Sequence, residues 1–442
     1  MHVIIIGAGT GGMCLVHGLR RAGISVAVYE RDRTRRDGLY GYRVGIDPTG
    51  NRALSECLPP ELFDTFIATC ARAPKYFTVT SEKLRRTAMF PLRPDTDRIE
   101  SERSVSRMTL RQVLLTGMEE VVHFDKEFVR YERNDDGTVT AFFADGTSAT
   151  GDVLVAADGT GSRVRRQYLP HAEIKDAGVT AVAGKVVITR ETKALLRPEM
   201  FEGISLTFAP HGQFCVWHVM EFKWDRDGTV KSGIGGNDAE LIEQWPGLLY
   251  DNTRDYINWG FSAATAKFPA NVMELRGEEL KKVVLDLTPN WHPNMRRLFA
   301  LAEPGSCFPV GIRTSVPVPA WETTNITLVG DAIHTMTPGQ GVGANTALRD
   351  AALLCRELTA AHRGDKAPLE AIAAYEAEMI PYGFARVADS LAQNGTNGDD
   401  PLHKPVIGRI MLAFARTYFR VVSSVPPLKR KFLNDLYAYR GS

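Results

Sequence analysis

The chain has 442 residues, 44% of them hydrophobic and 24% charged, with a formal net charge of +1. That length exceeds what one core usually carries, so two or more interwoven lobes are expected, and a near-neutral charge gives no electrostatic footing for nucleic acid. Six dispersed cysteines (14, 57, 70, 215, 307, 355) form no C-x-x-C pair, which argues against a zinc cluster or disulfide framework and suits a reducing compartment, so a cytoplasmic protein is expected. No apolar run approaches the roughly 20 residues of a membrane span, and the strand-like run starting at residue 3 leaves no room for a signal peptide.

The chain opens "HVIIIGAGTGGMCLVHGLRRAGISVAVYERD". Val3 to Ile6 is a continuous β-branched run, as expected of a parallel strand buried on both faces. A glycine-rich turn follows, then a helix with Leu15, Val16 and Leu19 inward, ending near Gly23. "SVAVYE" is a second strand closing on Glu30, which completes a βαβ unit. Within it lies Gly7-x-Gly9-x-x-Gly12, with Glu30 eighteen residues past Gly12. In that context Gly7 permits the tight turn, Gly9 the approach of a pyrophosphate, and Gly12 close helix–strand packing. The helix start faces the phosphates, and Glu30, with Arg31 beside it, sits where a ribose hydroxyl would be bound. An acid there favours a free 2′-hydroxyl, as in NAD or FAD.

Residues 34–50 read as a Gly- and Arg-rich loop and 53–69 as helix, and 74–100 mixes short strands with turns. "VSRMTLRQVLLTGMEE" (105–120) reads as a helix with Leu110, Leu114 and Leu115 inward, and 121–150 as short strands joined at "NDDG" and "ADG". A buried strand at 151–159 ends on Asp158 and Gly159, at the sheet edge where ligands bind in open α/β folds. The basic run Arg163, Arg165, Arg166 is compatible with phosphate binding or with a solvated helix face. From about 178 to 275 the composition shifts to long strands rich in Phe, Trp, Val and Met, expected to form an antiparallel second lobe.

A further strand–loop–helix follows, "NITLVGDAIHTMTPGQGVGANTALRDAALLCREL" (325–358). Asp331 closes the strand and Pro338 stiffens the loop. Gly339, Gly341 and Gly343 remove side chains so that a planar ligand can lie on main chain. Amides at the helix start make a partly positive site for an electron-rich ring edge. His334 is read as a loop histidine bonded to backbone rather than as an acid or base. No second G-x-G-x-x-G follows a strand, so one full dinucleotide site is expected. No metal-spacing cluster, Walker A, H-E-x-x-H or G-x-S-x-G is present. The C-terminal "PVIGRIMLAFARTYFRVVSSVPP" places Ile407, Ile410, Met411, Phe414, Tyr418 and Val421 on one helical stripe. Packing across the two lobes and attachment to a membrane surface both fit, because amphipathicity alone does not separate them.

These three motifs, in this order over nearly the whole chain, resemble the single-component FAD-dependent aromatic hydroxylases, the p-hydroxybenzoate-hydroxylase-like family that includes salicylate hydroxylase and tetracycline-inactivating monooxygenases. The resemblance implies an α/β fold: a Rossmann-like FAD-binding domain (1–73, 101–177 and 276–385) interleaved with a β-sheet substrate domain (74–100 and 178–275), then a C-terminal helical segment (386–442). It implies that Gly7, Gly9, Gly12 and Glu30, with Arg31, hold the pyrophosphate and ribose of FAD, that Arg107 reaches the FAD backbone, and that Asp158 serves both FAD and the transient nicotinamide cofactor. Asp331 would hold the ribityl or pyrophosphate region, and Pro338, Gly341, Gly343, Ala344 and Asn345 would lie beside the isoalloxazine. No catalytic side chain is implied, only Pro338, Gly339 and Arg43 near the flavin ring. The implied chemistry is reduction of bound FAD by transient NADH or NADPH, addition of O2 to give a C4a-hydroperoxyflavin, and hydroxylation of a bulky, apolar, aromatic or polyketide-like substrate. Baeyer–Villiger oxidation, epoxidation and a non-redox cyclisation could use the same pocket. Phe208, Phe214, Trp217, Met220 and Phe222 are the expected substrate lining, although period two along their strand leaves about half of them as plain core. The molecule is expected to be a monomer or homodimer acting on a small molecule, without nucleic acid, metal or membrane span.

Overall fold

The structure is a computed structural model and describes residues 1–35, 43–223, 254–394, 404 and 406–441. The runs Val3–Ile6, Val153–Ala156 and Ile326–Leu328 are buried throughout. Aliphatic strands of this kind have no solvent face and pair in parallel with helices on either side. Together with Ser25–Tyr29 and Val122–His123 they form one parallel sheet, in the spatial order Ile326–Leu328, Val153–Ala156, His2–Ile6, Ser25–Tyr29, Val122–His123. Helix Thr10–Arg21 packs closely on helix Gly343–Arg363. A Cβ on Gly11 would stand 3.0 Å from the Ala347 carbonyl, and one on Gly18 would stand 2.5 Å from Cys355 Sγ. A three-stranded meander, Phe128–Arg133, Val139–Phe143 and Ser148–Gly151, completes this lobe.

The second sheet has seven strands, ordered Phe308–Ser315, Ile174–Val187, Tyr256–Ala264, Phe214–Met220, Gly203–Phe208, Tyr76–Ser81, Arg86–Pro91. Its two faces differ. Cys215, Trp217 and Val219, with their cross-strand neighbours Phe261, Trp259 and Ile257, point into a core closed by Leu280, Val284, Met295, Leu298 and Phe299. Trp217 stacks on Phe299 at 5.2 Å and donates its indole N–H to Thr207 Oγ1 at 3.0 Å. The alternate residues Leu206, Phe208, Phe214, Val216 and Gly260 stay half-buried on the opposite face. His218, on that same face, meets Ser104 of the nucleotide lobe at 3.2 Å.

Several expected boundaries move. The helices Gly277–Leu287 and Pro293–Ala300 and the strand Phe308–Ser315 pack with the seven-stranded sheet, not with the nucleotide lobe assigned to 276–385. An apolar helix stripe shows that a face is buried but not against which sheet. The expected helix at 53–69 is two, Pro48–Cys57 and Pro60–Thr69, split where Pro59 and Pro60 deny the backbone its hydrogen bonds. Helix Pro368–Asn394 runs through the boundary set at 385. Beyond it lie two helices, Ile407–Ser424 and Pro426–Tyr439, parted at Val425 by the proline that opens the second. Parts of the expected loop at 34–50, of the strand-rich region to 275 and of the C-terminal segment lie outside the described residues.

The two sheet faces predict different costs of truncation. Trp217→Ala removes a fully buried ring and should lower unfolding free energy by about 3–5 kcal/mol in urea titration. Phe214→Ala, on the half-open face, should cost less than half of that; equal costs would contradict the assignment of faces.

Candidate active site

The site is built where the first strand turns into its helix. Gly7 adopts φ +101°, and a Cβ there would lie 2.5 Å from the Ala157 carbonyl oxygen, so only glycine lets the two strand ends meet. Gly12 lies behind this turn, where a Cβ would be 2.7 Å from the Gly7 carbonyl and 2.8 Å from Ala157 Cβ. Its role is packing, and it does not line the cavity. Gly9 meets only the Ala157 oxygen, at 3.5 Å, and caps the helix without any side-chain cap, so its face and the first helical amides stay open.

They open onto a cavity of about 400 Å³, whose wall brings together Gly7, Gly9, Glu30, Arg31, Arg107 and Asp158. Glu30 accepts hydrogen bonds from the amides of Ala8 at 2.7 Å and Asp32 at 3.0 Å, which fixes its carboxylate at the rim. Asp158 accepts from the Arg163 amide at 2.9 Å through one oxygen. Its other oxygen is buried without a protein partner, and burial pushes the carboxyl above the ordinary carboxylate range. Arg107 opens the helix Arg107–Leu115 and makes no hydrogen bond or ion pair among the described residues. The 163–166 run divides: Arg166 is solvent-exposed, Arg163 lines the cavity, and Arg165 is buried. Arg163 pairs with Glu127, while buried Arg165 donates to the carbonyls of Ala332 at 2.8 Å and Thr160 at 3.0 Å, tying the Asp158 loop to the Asp331 loop.

Asp331 follows strand Ile326–Leu328 in a single 3₁₀ turn. Its surface stays accessible although protein closely surrounds it. That enclosure raises its carboxyl pKa, while the charges of His334 and Arg107 act in the opposite direction. His334 is not held by backbone as expected: its Nε2 meets Asp350 Oδ2 at 2.6 Å. Asp350 also accepts from the Gly330 amide at 2.7 Å and from the Tyr382 hydroxyl. Burial alone would lower the imidazole pKa, but the Asp350 carboxylate outweighs it and raises it. This buried hub fixes the turn that presents Asp331.

The loop beyond is open. Pro338, Gly339 and Gly341 are exposed, Gly341 with φ +67°, and helix Gly343–Arg363 begins without a side-chain cap, leaving the amides around Gly343 and Ala344 unclaimed by any. The side chain of buried Asn345 is bonded by the protein on both its polar atoms. Its Oδ1 accepts from the Asp47 amide at 3.0 Å and its Nδ2 donates to Gly45 O at 2.9 Å, clamping strand Arg43–Ile46 beside the loop. Arg43 extends from that strand and donates to Ser104 Oγ at 3.2 Å, which in turn meets His218. Burial lowers the Arg43 pKa to about 10 and, with the Arg43 charge, holds His218 well below its ordinary value. His218 was legible in the sequence as a lone polar residue on the Phe214–Val216 face. The Asp350 hub was not, because nothing in a helical pattern says which loop its buried acid serves.

Of the expected substrate lining, Phe208 and Phe214 lie on the half-open sheet face. Trp217 points into the core behind it, and Met220 and Phe222 sit in a small apolar cluster with Ala68, Ala71 and Tyr256. Among the described residues no cluster of His, Cys, Asp or Glu could hold a metal ion, and no helix is long and apolar enough to cross a membrane.

The sequence profile of the FAD binding domain family matches residues 282–390. A Cercospora beticola dual O-methyltransferase/FAD-dependent monooxygenase is 30% identical over 403 residues, covering 85% of this chain and 44% of that protein. The chain thus spans about half the length of the bifunctional relatives it matches. The FAD-dependent urate hydroxylase of Klebsiella pneumoniae is 26% identical over 361 residues, 80% of each chain. A structure assigned as an FAD-containing monooxygenase from Photorhabdus luminescens superposes with TM-score 0.75 at 34% identity, covering 89% of this chain and 97% of that one. The Klebsiella pneumoniae protein HpxO, complexed with FAD and uric acid, shares the fold, with TM-score 0.75, 20% identity and coverage of 100% and 96%.

The fold is that of the FAD-dependent monooxygenases. The chain belongs to the FAD-dependent monooxygenase family. The residues present fit FAD on the structure's own terms. Gly159 and Gly161 leave open space along the cavity wall, the second Asp158 oxygen is buried and unpaired, and two uncapped helix starts flank the site.

Two measurements follow from this geometry. Asp331→Ala should purify largely colourless; stoichiometric FAD in that variant would contradict its place in the site. The stabilisation from His334–Asp350 has a defined sign, because the folded-state pKa is raised above the 6.5 of a free imidazole. It is complete below that value and is lost as pH rises through the raised one. The thermal stability gap between wild type and His334→Gln should therefore be constant below the free imidazole value of 6.5 and narrow as the pH rises above it, and a gap that stays constant into the alkaline range would contradict it.

Proposed function

We propose that the chain is an FAD-dependent monooxygenase that uses NAD(P)H and O2 to hydroxylate a bulky, largely apolar, aromatic or polyketide-like small molecule in a reducing, cytoplasmic setting. The observation that carries this reading is the continuity of the site. A cavity of about 400 Å³ with an unpaired acid, the Asp331 turn and an open glycine loop follow one another along the sheet's carboxyl edge. The loop in turn is tied to the half-open apolar face of the second sheet, since Ser315, at the end of its edge strand, bonds the carbonyl of Ile333 and donates its amide to Thr335, each at 2.8 Å. All six cysteines are free thiols, consistent with the compartment.

In this reading Gly7 and Gly9 give backbone access to the pyrophosphate, Glu30 takes ribose hydroxyls, and Arg31 and Arg107 add positive charge. Asp158 and Asp331 accept hydrogen bonds along the chain toward the ring. Pro338, Gly339 and Gly341 form a flat main-chain wall, while the amides at Gly343 and Ala344 stabilise negative charge at the ring edge. Bound FAD, reduced by the nicotinamide cofactor, supplies the activation of dioxygen. The protein's part is to hold the substrate against Phe208, Phe214 and Val216 and to exclude water there. A half-buried apolar wall with few polar groups selects size and apolarity more than a hydrogen-bond pattern, which supports a bulky substrate class. The bifunctional O-methyltransferase/FAD-dependent monooxygenase relatives and the urate hydroxylase support an oxygenated small molecule.

The reading is tested by assaying aromatic and polyketide compounds with NADH or NADPH under labelled oxygen. A substrate should stimulate nicotinamide oxidation and oxygen uptake together, and its product should carry one labelled oxygen atom. Product formed without consumption of either would contradict it.

A further inference from the structure

Nine of the twelve large hydrophobic side chains left exposed among the described residues lie between Val406 and Leu428, with exposures from 38% to 72%. They cover several hundred Å², more than a soluble monomer commonly leaves open in one patch, and approach the roughly 800 Å² that each partner contributes to a standard interface. The patch is ordered by sequence. On helix Ile407–Ser424 the exposed residues Ile407, Met411, Phe414, Tyr418 and Val421 recur at alternating spacings of four and three. That is the 3.5-residue period of a seam packed against another helix, with exposed Ile410 widening it on one side.

The inner side of the same helix is already satisfied. Phe419 stacks on Phe208 at 6.0 Å, Val422 joins the cluster around Phe90, and Arg416 binds Glu82 and the Phe208 carbonyl. At 100° per residue, Arg409, Arg416 and Arg420 fall together on the flank opposite the seam. A membrane-surface helix would place such cations beside its apolar face, where lipid phosphates lie; here they point away. The seam itself carries no charge. About its most exposed residue, Phe414, Ile410 and Tyr418 stand four residues to either side and Ile407 and Val421 seven, while Met411 has Thr417 as its mirror position. A patch that repeats when reversed is what a two-fold contact requires, because each residue must meet its mirror position on the partner.

We propose that the chain forms a homodimer through antiparallel pairing of helices Ile407–Ser424, with the two-fold axis beside Phe414. Phe414 meets its own copy, and Ile410 of one protomer faces Tyr418 of the other. Because the inner side of this helix backs Phe208, the dimer contact also braces one edge of the apolar sheet face. The inference does not depend on the proposed activity.

The FAD-loaded protein should sediment at twice the 48.8 kDa chain mass at micromolar concentration. Phe414→Glu should give a monomer that keeps its flavin spectrum and circular dichroism. Ile410→Glu and Tyr418→Lys should each be monomeric, while the two combined in one chain restore the dimer by opposing charges across the axis. A monomeric wild type overturns the proposal, and so does a dimer that survives Phe414→Glu. Failure of the double variant to re-associate overturns the antiparallel register. Co-sedimentation of monomeric wild type with phosphatidylglycerol vesicles overturns it in favour of a membrane surface.

Discussion

Everything in the nucleotide lobe depends on how closely two strand ends approach one another. The Gly7 turn is pressed onto Ala157 and Asp158 with no room for a Cβ. That contact sets the helix start at Gly9 beside the carboxylate of Asp158 and, through strand Ser25–Tyr29, beside Glu30. Three chain segments far apart in sequence thereby line one cavity. A side chain at Gly7 would have to separate the strands, which are buried on both faces and cannot yield without opening the core.

The second constraint is how the distal loops are held, and it is met by polar groups buried in pairs. Asp350 serves three donors at once, His334, the Gly330 amide and Tyr382, and so fixes the turn that carries Asp331. Arg165 fastens the same loop to the Asp158 turn, and Asn345 fastens the Arg43 strand to the glycine loop. Each of these side chains holds a loop through the bonds named, although Arg165 Nε and His334 Nδ1 are themselves buried without a partner. The groups left over, such as the second Asp158 oxygen, Arg107 and the uncapped amides, line the space a cofactor would fill. Division of labour between holding and binding is what a preorganised site requires.

Much of this was legible in the sequence because it rests on local rules. Glycine spacing after a β-branched strand locates the turn, and period two along Phe214–Met220 separates Trp217 from Phe214. What was not legible depends on long-range choice. Trp217, Met220 and Phe222 look like a ligand's lining by composition, yet two different cores claim them. The helices after residue 276 show an apolar face without saying which sheet it meets. His334 and Asn345 sit inside a functional motif and nevertheless act by positioning it, since their partners at Asp350 and Asp47 are specified only by the fold.

The central claim is that the cavity between Gly7, Glu30, Arg107 and Asp158 carries the adenosine–pyrophosphate half of FAD, and that most of the cofactor's recognition lies there. Titration of flavin-free protein with FAD and, separately, with FMN tests it directly. The account predicts one FAD per chain and FMN binding weaker by orders of magnitude, since FMN lacks the half this cavity receives. Equal affinity for the two flavins would contradict it.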